Sequence, residues 1–220
     1  MILHIAVAPI TSSAAFAGLL GLDVALSLTT LIVASAISPV STVAFSYLFL
    51  GTSLFSPIEL GLKLFFFFAA TGAAAFALRR LLGQPWLDRK KDMLDGLNVI
   101  AVFAFAVAAM DGVPRHVVAD PLFALEILAL VSGLAAVIAG LSWLVFLKAG
   151  HERGLVIGLL SAFRNLGVVM AAVGATLPDL AWFYFAMAQF PIFLFPFFLK
   201  PLARRIAHGK PALQRPPAAC

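Results

Sequence analysis

The chain has 220 residues, 63% hydrophobic and only 11% charged, with a mean hydropathy of +1.07. A soluble domain carries about 25% charged residues, so composition excludes an ordinary water-soluble fold and points to an all-α integral membrane protein. The net charge of +5 does not indicate nucleic-acid binding, because the bases sit at the ends of apolar runs with no aromatic-basic platform beside them. The first thirteen residues carry no Lys or Arg and so lack the basic region of a secretory signal peptide. The single cysteine, Cys220, has no partner for an internal disulfide and does not stand in a prenylation motif.

A helix needs about 20 apolar residues to cross a bilayer. Seven candidate segments meet that need: 2–21, interrupted at Pro9, then 24–50, 57–78, 96–112, 122–147, 154–176 and 180–199. The first places Pro9 and three hydroxyl residues, Thr11, Ser12 and Ser13, inside a span. Proline removes a donor and clashes with the preceding turn, and in hydrocarbon the freed carbonyls must be covered by protein or a wet cavity. The pattern predicts either a helix break that exposes backbone groups to a ligand, as in secondary transporters, or a plain kink with back-bonding serines. In the second segment Asp23, Ser27, Thr30, Ala34 and Ser41 follow helical steps along one side, which predicts an inward polar face, and Pro39 predicts a kink or strong tilt.

In the third segment Lys63 lies four residues after Glu59, the spacing of a helical ion pair. The 84–97 connection places Trp86, Met93, Leu94 and Leu97 on roughly one face, which predicts an amphipathic helix along the interface; a solvated charged loop is the alternative. In the sixth segment Gly154, Gly158, Ser161, Asn165 and Ala172 share a narrow arc, with Arg164 on its flank. The glycines alone read as close helix packing. Arg164 does not, because an arginine near the bilayer centre costs at least about 2.5–3.5 kcal/mol and must face inward. Its expected partners are Glu126, one turn into its own span, backbone carbonyls, a bound anion or a group this chain does not contain. His4, His116, His151 and His208 lie near segment ends and read as interfacial residues.

Twelve of the fifteen bases fall in alternate connections: Arg79, Arg80, Arg89, Lys90 and Lys91; Lys148 and Arg153; and Lys200, Arg204, Arg205, Lys210 and Arg215. The positive-inside rule makes that face cytoplasmic, which predicts an outside start and a cytoplasmic C-terminus. No HExxH pair, GxSxG elbow, cysteine nucleophile or carboxylate pair occurs in the spans, so nothing points to an enzyme. No ring of repeated polar residues points to a channel.

"APITSSAAFAGLLGLDVALSLTTLIVASAISPVS" and "GLLSAFRNLGVVMAAVGATLPDLAWFYFAMAQFPIFLFPFF" resemble the fourth-to-fifth and ninth-to-tenth helices of the bile acid:sodium symporter family. The resemblance extends over nearly the whole chain after residue 5. It implies a ten-helix fold of two inverted five-helix repeats whose fourth and ninth helices are unwound and cross near the substrate. This chain would supply a partial version lacking the first three helices. Residues 1–50 would be two core helices of the first repeat and 51–112 two panel helices joined by the 84–97 linker. Residues 113–200 would be three core helices including the broken crossover 154–176, and 201–220 a disordered Pro-rich tail.

The resemblance implies a secondary active transporter, a symporter of small organic anions, in a bacterial inner membrane. Its binding residues would be drawn from Pro9, Thr11, Ser12, Ser13, Ser27, Thr30, Ser161, Arg164 and Asn165. Ser13, Ser27 and Asn165 match sodium-ligand positions, with Thr11 or Thr30 as additions, but the expected amide, glutamate and glutamine read Ala14, Leu160 and Arg164. A sodium site lacking its carboxylate and facing a guanidinium is weakened or lost; no cofactor other than sodium is implied. Arg164 would then supply in covalent form the positive charge that sodium supplies in relatives. The missing helices leave a second reading, a non-transporting fragment or partial subunit completed by another chain.

Overall fold

The computed structural model describes residues 4, 6–49, 56–110, 113–173 and 178–208, and every named element among them is a helix. These are α1 (Ser13–Leu19), α2 (Val24–Phe49), α3 (Pro57–Leu82), α4 (Gln84–Arg89) and α5 (Lys91–Ala109). They are followed by α6 (Val113–Ala119), α7 (Pro121–Val145), α8 (His151–Ala162), α9 (Leu166–Val173) and α10 (Asp179–His208). Four of them, α2, α3, α7 and α10, are long and apolar enough to cross a membrane. The first and sixth predicted segments are each split into short pieces.

Local chemistry sets the ends of the long helices. α3 begins at a Ser-Pro pair: the Ser56 hydroxyl accepts from the Glu59 amide at 3.4 Å and Pro57 takes the first helical position, where no N–H is needed. α7 repeats the plan with Asp120, which accepts from the Phe123 amide at 3.0 Å, and Pro121. Asp23 caps α2 in the same way, through the Leu26 amide at 2.9 Å. α3 stops at Gly83, whose φ of 73° suits only a residue without a Cβ.

The surface of this fold is inside out by the standard of a soluble protein. On α2 the buried positions include Ser27, Ser38, Thr42 and Ser46, whereas Ile32, Val33, Ile37 and Val40 are exposed. Apolar side chains facing out and hydroxyls facing in is the arrangement a lipid environment favours. The chain is a membrane protein on this ground as well as on helix length.

Helix association in lipid depends on close backbone approach, and the glycines of α8 provide it. A Cβ at Gly158 would stand 2.7 Å from the Ala139 carbonyl oxygen, and one at Gly154 would stand 3.0 Å from that of Trp143, so α8 lies directly on α7. The GxxxG pattern is a packing device. Three apolar clusters surround the middle of the molecule: one gathers α1, α7, α8 and α10, a second gathers α7, α9 and α10, and a third joins Val7 to Leu60, Leu64 and Val169.

Several expectations need correction. The 84–97 stretch is helical but divided at Lys90: α4 ends at Arg89, and α5 runs unbroken from Lys91 through Gly96 to Ala109. Lys91, Asp92 and Asp95 therefore open the helix that was expected to begin at 96. Asp23 is exposed as a cap, and the inward face of α2 runs through Ser27, Ser38, Thr42 and Ser46 with Ser41 half-buried beside them. The tail expected to be disordered from 201 is helical to His208; 209–220 lie outside the described residues, as do 174–176 of the sixth segment. The Glu59–Lys63 pair forms at 2.8 Å.

Candidate functional site: the crossing of two helix breaks

The chain leaves helical geometry after Ala6 and resumes it at Ser13, so Pro9 marks a break and not a kink. The sixth segment breaks between Ala162 and Leu166, at Phe163, Arg164 and Asn165. The two breaks lie antiparallel and form an isolated bridge between Pro9 and Arg164. The Ile10 amide donates to the Phe163 carbonyl at 2.9 Å, and the Asn165 amide donates to the Ala8 carbonyl at 2.9 Å. In this pairing the flanking residues carry the bonds, so the N–H that Pro9 lacks is not called for.

Breaking a helix inside a membrane leaves carbonyls that need partners. The Ala6 carbonyl accepts from the Ser41 hydroxyl at 2.7 Å and from Thr42 at 3.4 Å. The Val7 carbonyl accepts from Arg164 Nη1 at 3.0 Å, and the Ala8 carbonyl takes the Asn165 amide. The Ala8 amide in turn donates to Ser38 Oγ at 2.9 Å. On the other break, Ser161 O accepts from Arg164 Nε at 2.9 Å, and Ala162 O accepts from His4 Nε2 at 3.2 Å. Val7 and Phe163 are both buried, so this lattice forms away from bulk water and its bonds are correspondingly strong.

Arg164 therefore finds carbonyls, not a carboxylate. Glu126 is exposed on α7, and the expected ion pair between them does not form. Two of the five guanidinium N–H groups are engaged, at Nε and Nη1. Nη2 has no hydrogen bond among the described residues.

The residues singled out in the sequence fare unequally. Pro9, Arg164 and Asn165 meet at the bridge. Ser161 contributes its carbonyl. Ser13 and Ser27 are buried, and neither hydroxyl has a partner among the described residues. Thr11 is exposed, and Ser12 and Thr30 are half-buried. Two orphaned hydroxyls offer oxygen, but Leu160 is buried and apolar, Ala14 has no donor atom, and a guanidinium stands at the crossing.

His4 overturns its interfacial reading: it is 3% exposed, held by the Ala162 carbonyl, and stands edge-on to Tyr184 with ring centroids 6.2 Å apart. Nothing in its local sequence marked it. Ser38, Thr42 and Ser46 were also missed, although hydroxyls four residues apart on an apolar helix are a readable signal. No family model, curated protein or solved structure matches this chain.

Proposed function

We propose that the chain is a secondary carrier of small organic anions, with the anion held at the crossing of its two broken helices by Arg164. The observation that carries this reading is the guanidinium itself: a fixed positive charge at the junction of two interrupted membrane segments, with Nη2 unengaged among the described residues. A planar guanidinium suits carboxylate or sulfonate because it donates along fixed directions. Asn165, half-buried beside it, is placed to orient the bound group. The resemblance to bile acid:sodium symporters supports the same reading and supplies the mode of action, in which a core of crossed helices rocks against flanking ones and exposes the site to each side in turn. Because the sodium ligand set is broken, transport is independent of sodium. The basic connections support a cytoplasmic C-terminus, and the resemblance supports a bacterial inner membrane.

The test is uptake of labelled pyruvate, benzenesulfonate and taurocholate into proteoliposomes, with and without sodium. Removing a charge-assisted bond costs about 1.5–3 kcal/mol, so Arg164→Gln is expected to weaken affinity for the transported anion roughly 10- to 100-fold, with Arg164→Lys between the two. Unchanged affinity and unchanged sodium response in Arg164→Gln overturns the reading.

A second reading rests on a different observation. Every residue of α3 from Ala69 to Leu82 is exposed, including the small residues of "AATGAAAFA". In α5 every side chain described before Ala109 is exposed too. Small residues on all sides of a membrane helix suit a helical partner better than lipid, which fits a subunit completed by another chain.

A further inference from the structure

His4 is the one histidine buried among the described residues whose side chains are placed, and its hydrogen bonding is half complete. A carbonyl can only accept, so the bond to Ala162 fixes the hydrogen on Nε2. That leaves Nδ1 as a lone-pair acceptor, which is buried without a partner among the described residues. The Tyr184 hydroxyl, on the ring packed against it, is likewise buried without one. Orphaned buried polar atoms are rare in native proteins and call for a reason.

The groups that face the ring from each packed element are few. From the sixth-segment break come the Ala162 carbonyl and, within electrostatic reach, the Arg164 guanidinium. From α10 comes the Tyr184 phenol. Among the described residues no carboxylate acts on the ring. A second positive charge on this buried ring has to leave water for a low-dielectric site, and the Arg164 guanidinium, two residues past Ala162, opposes it further. An anion on Arg164 removes that opposition.

We propose that His4 Nδ1 is a proton-binding site loaded together with the anion, which makes the carrier a proton–anion symporter. The inference rests on the carrier reading of Arg164. The charges balance: the empty site holds one positive charge on Arg164, and the site loaded with a monovalent anion and a proton holds the same net charge. The proton comes from the side that supplies the anion and leaves with it, so no other coupling ion is required. A protonated ring also grips the Ala162 carbonyl by a charge-assisted bond, which tightens the crossing when both ligands are present. By linkage, each ligand raises affinity for the other by the same factor.

Benzenesulfonate is the probe, since as the anion of a strong acid it brings no proton of its own. Calorimetric titration of the purified full chain in two buffers of different ionisation enthalpy counts the protons taken up per anion bound. The expected result is net proton uptake near neutral pH, with affinity falling toward tenfold per pH unit as pH rises through the window where only the complex is protonated. His4→Gln keeps an N–H that can reach the Ala162 carbonyl but cannot titrate; it is expected to bind the probe with no proton uptake and a flat pH profile. Binding by the unmutated chain without proton uptake overturns the proposal, and that measurement needs no variant. Equal uptake in His4→Gln, or in His4→Asn should the first fail to fold, also overturns it. If neither benzenesulfonate nor pyruvate binds at all, the carrier reading fails and takes this proposal with it; binding without protons leaves that reading standing.

Discussion

The crossing and the α3–α5 limb behave oppositely. At the crossing, small and polar residues turn inward: Ser38, Ser41, Thr42, Asn165 and Arg164 take up the amides and carbonyls of two interrupted helices. Along the limb, from Ala69 through Leu82 and on through α5, apolar residues point outward on all sides and the helices keep their own backbone bonds. An intact helix can stand in lipid with no help from neighbours, whereas a broken one cannot. Regularity lets the limb stand apart, and irregularity obliges the crossing to be dense.

Overpacking the dense side is expected to have the largest effect. Gly158→Leu drives a side chain into the Ala139 backbone, which cannot swing aside as a flexible side chain can, and is expected to cost about 3 kcal/mol. Unfolding of the purified variant by SDS in mixed micelles measures it, and a cost under about 0.5 kcal/mol would show that α7 and α8 yield more easily than their contact implies. A smaller loss is expected from Ser38→Ala, which leaves the Ala8 amide without its acceptor; about 1–2 kcal/mol is the scale for a buried donor so abandoned. Thr71→Ala serves as its counterpart, since that hydroxyl only back-bonds to Phe67 and Phe68 on an exposed helix, and near-neutrality is expected there.

The smallest effect sharpens the comparison most. Ala73→Leu adds bulk to the exposed limb and is expected to change stability by no more than about 0.5 kcal/mol in the isolated chain. The same variant in native membranes separates the two functional readings. If it breaks cross-linking of the chain to a larger assembly, the limb is an interface. If cross-linking yields the chain by itself with and without the substitution, the limb faces lipid.

Much of this division could be read from the residues. The runs 24–50, 57–78 and 122–147 became α2, α3 and α7 with ends displaced by a few positions, because long apolar runs with Ser-Pro or Asp-Pro caps carry their own instructions. Pro9 flagged the first break for the same local reason. The second break was legible only through the resemblance, since "AFRNL" contains no proline or glycine. Its helix ends because Phe163 and Asn165 exchange bonds with a strand of backbone far away in the sequence. Arg164 could be marked as needing inward partners, but which carbonyls would serve could not be read from charge spacing, and Glu126 was a plausible wrong answer. His4 was illegible for the same reason: a single histidine near the start of an apolar run has the same local pattern whether it is wet or buried.

The bond from Arg164 to Val7 spans 157 positions of sequence. During synthesis the first break enters the bilayer long before its mate exists, with the Ala6, Val7 and Ala8 carbonyls all unattended. The hydroxyls of α2 arrive some thirty residues later and attend to Ala6 and the Ala8 amide, a chaperone built into the next helix. Val7 and Ala8 wait for the sixth segment, so the crossing closes only after Asn165 has been made. Long-range closure of this kind is slow, and a nascent chain stalled before residue 164 would present a half-made crossing to quality-control proteases.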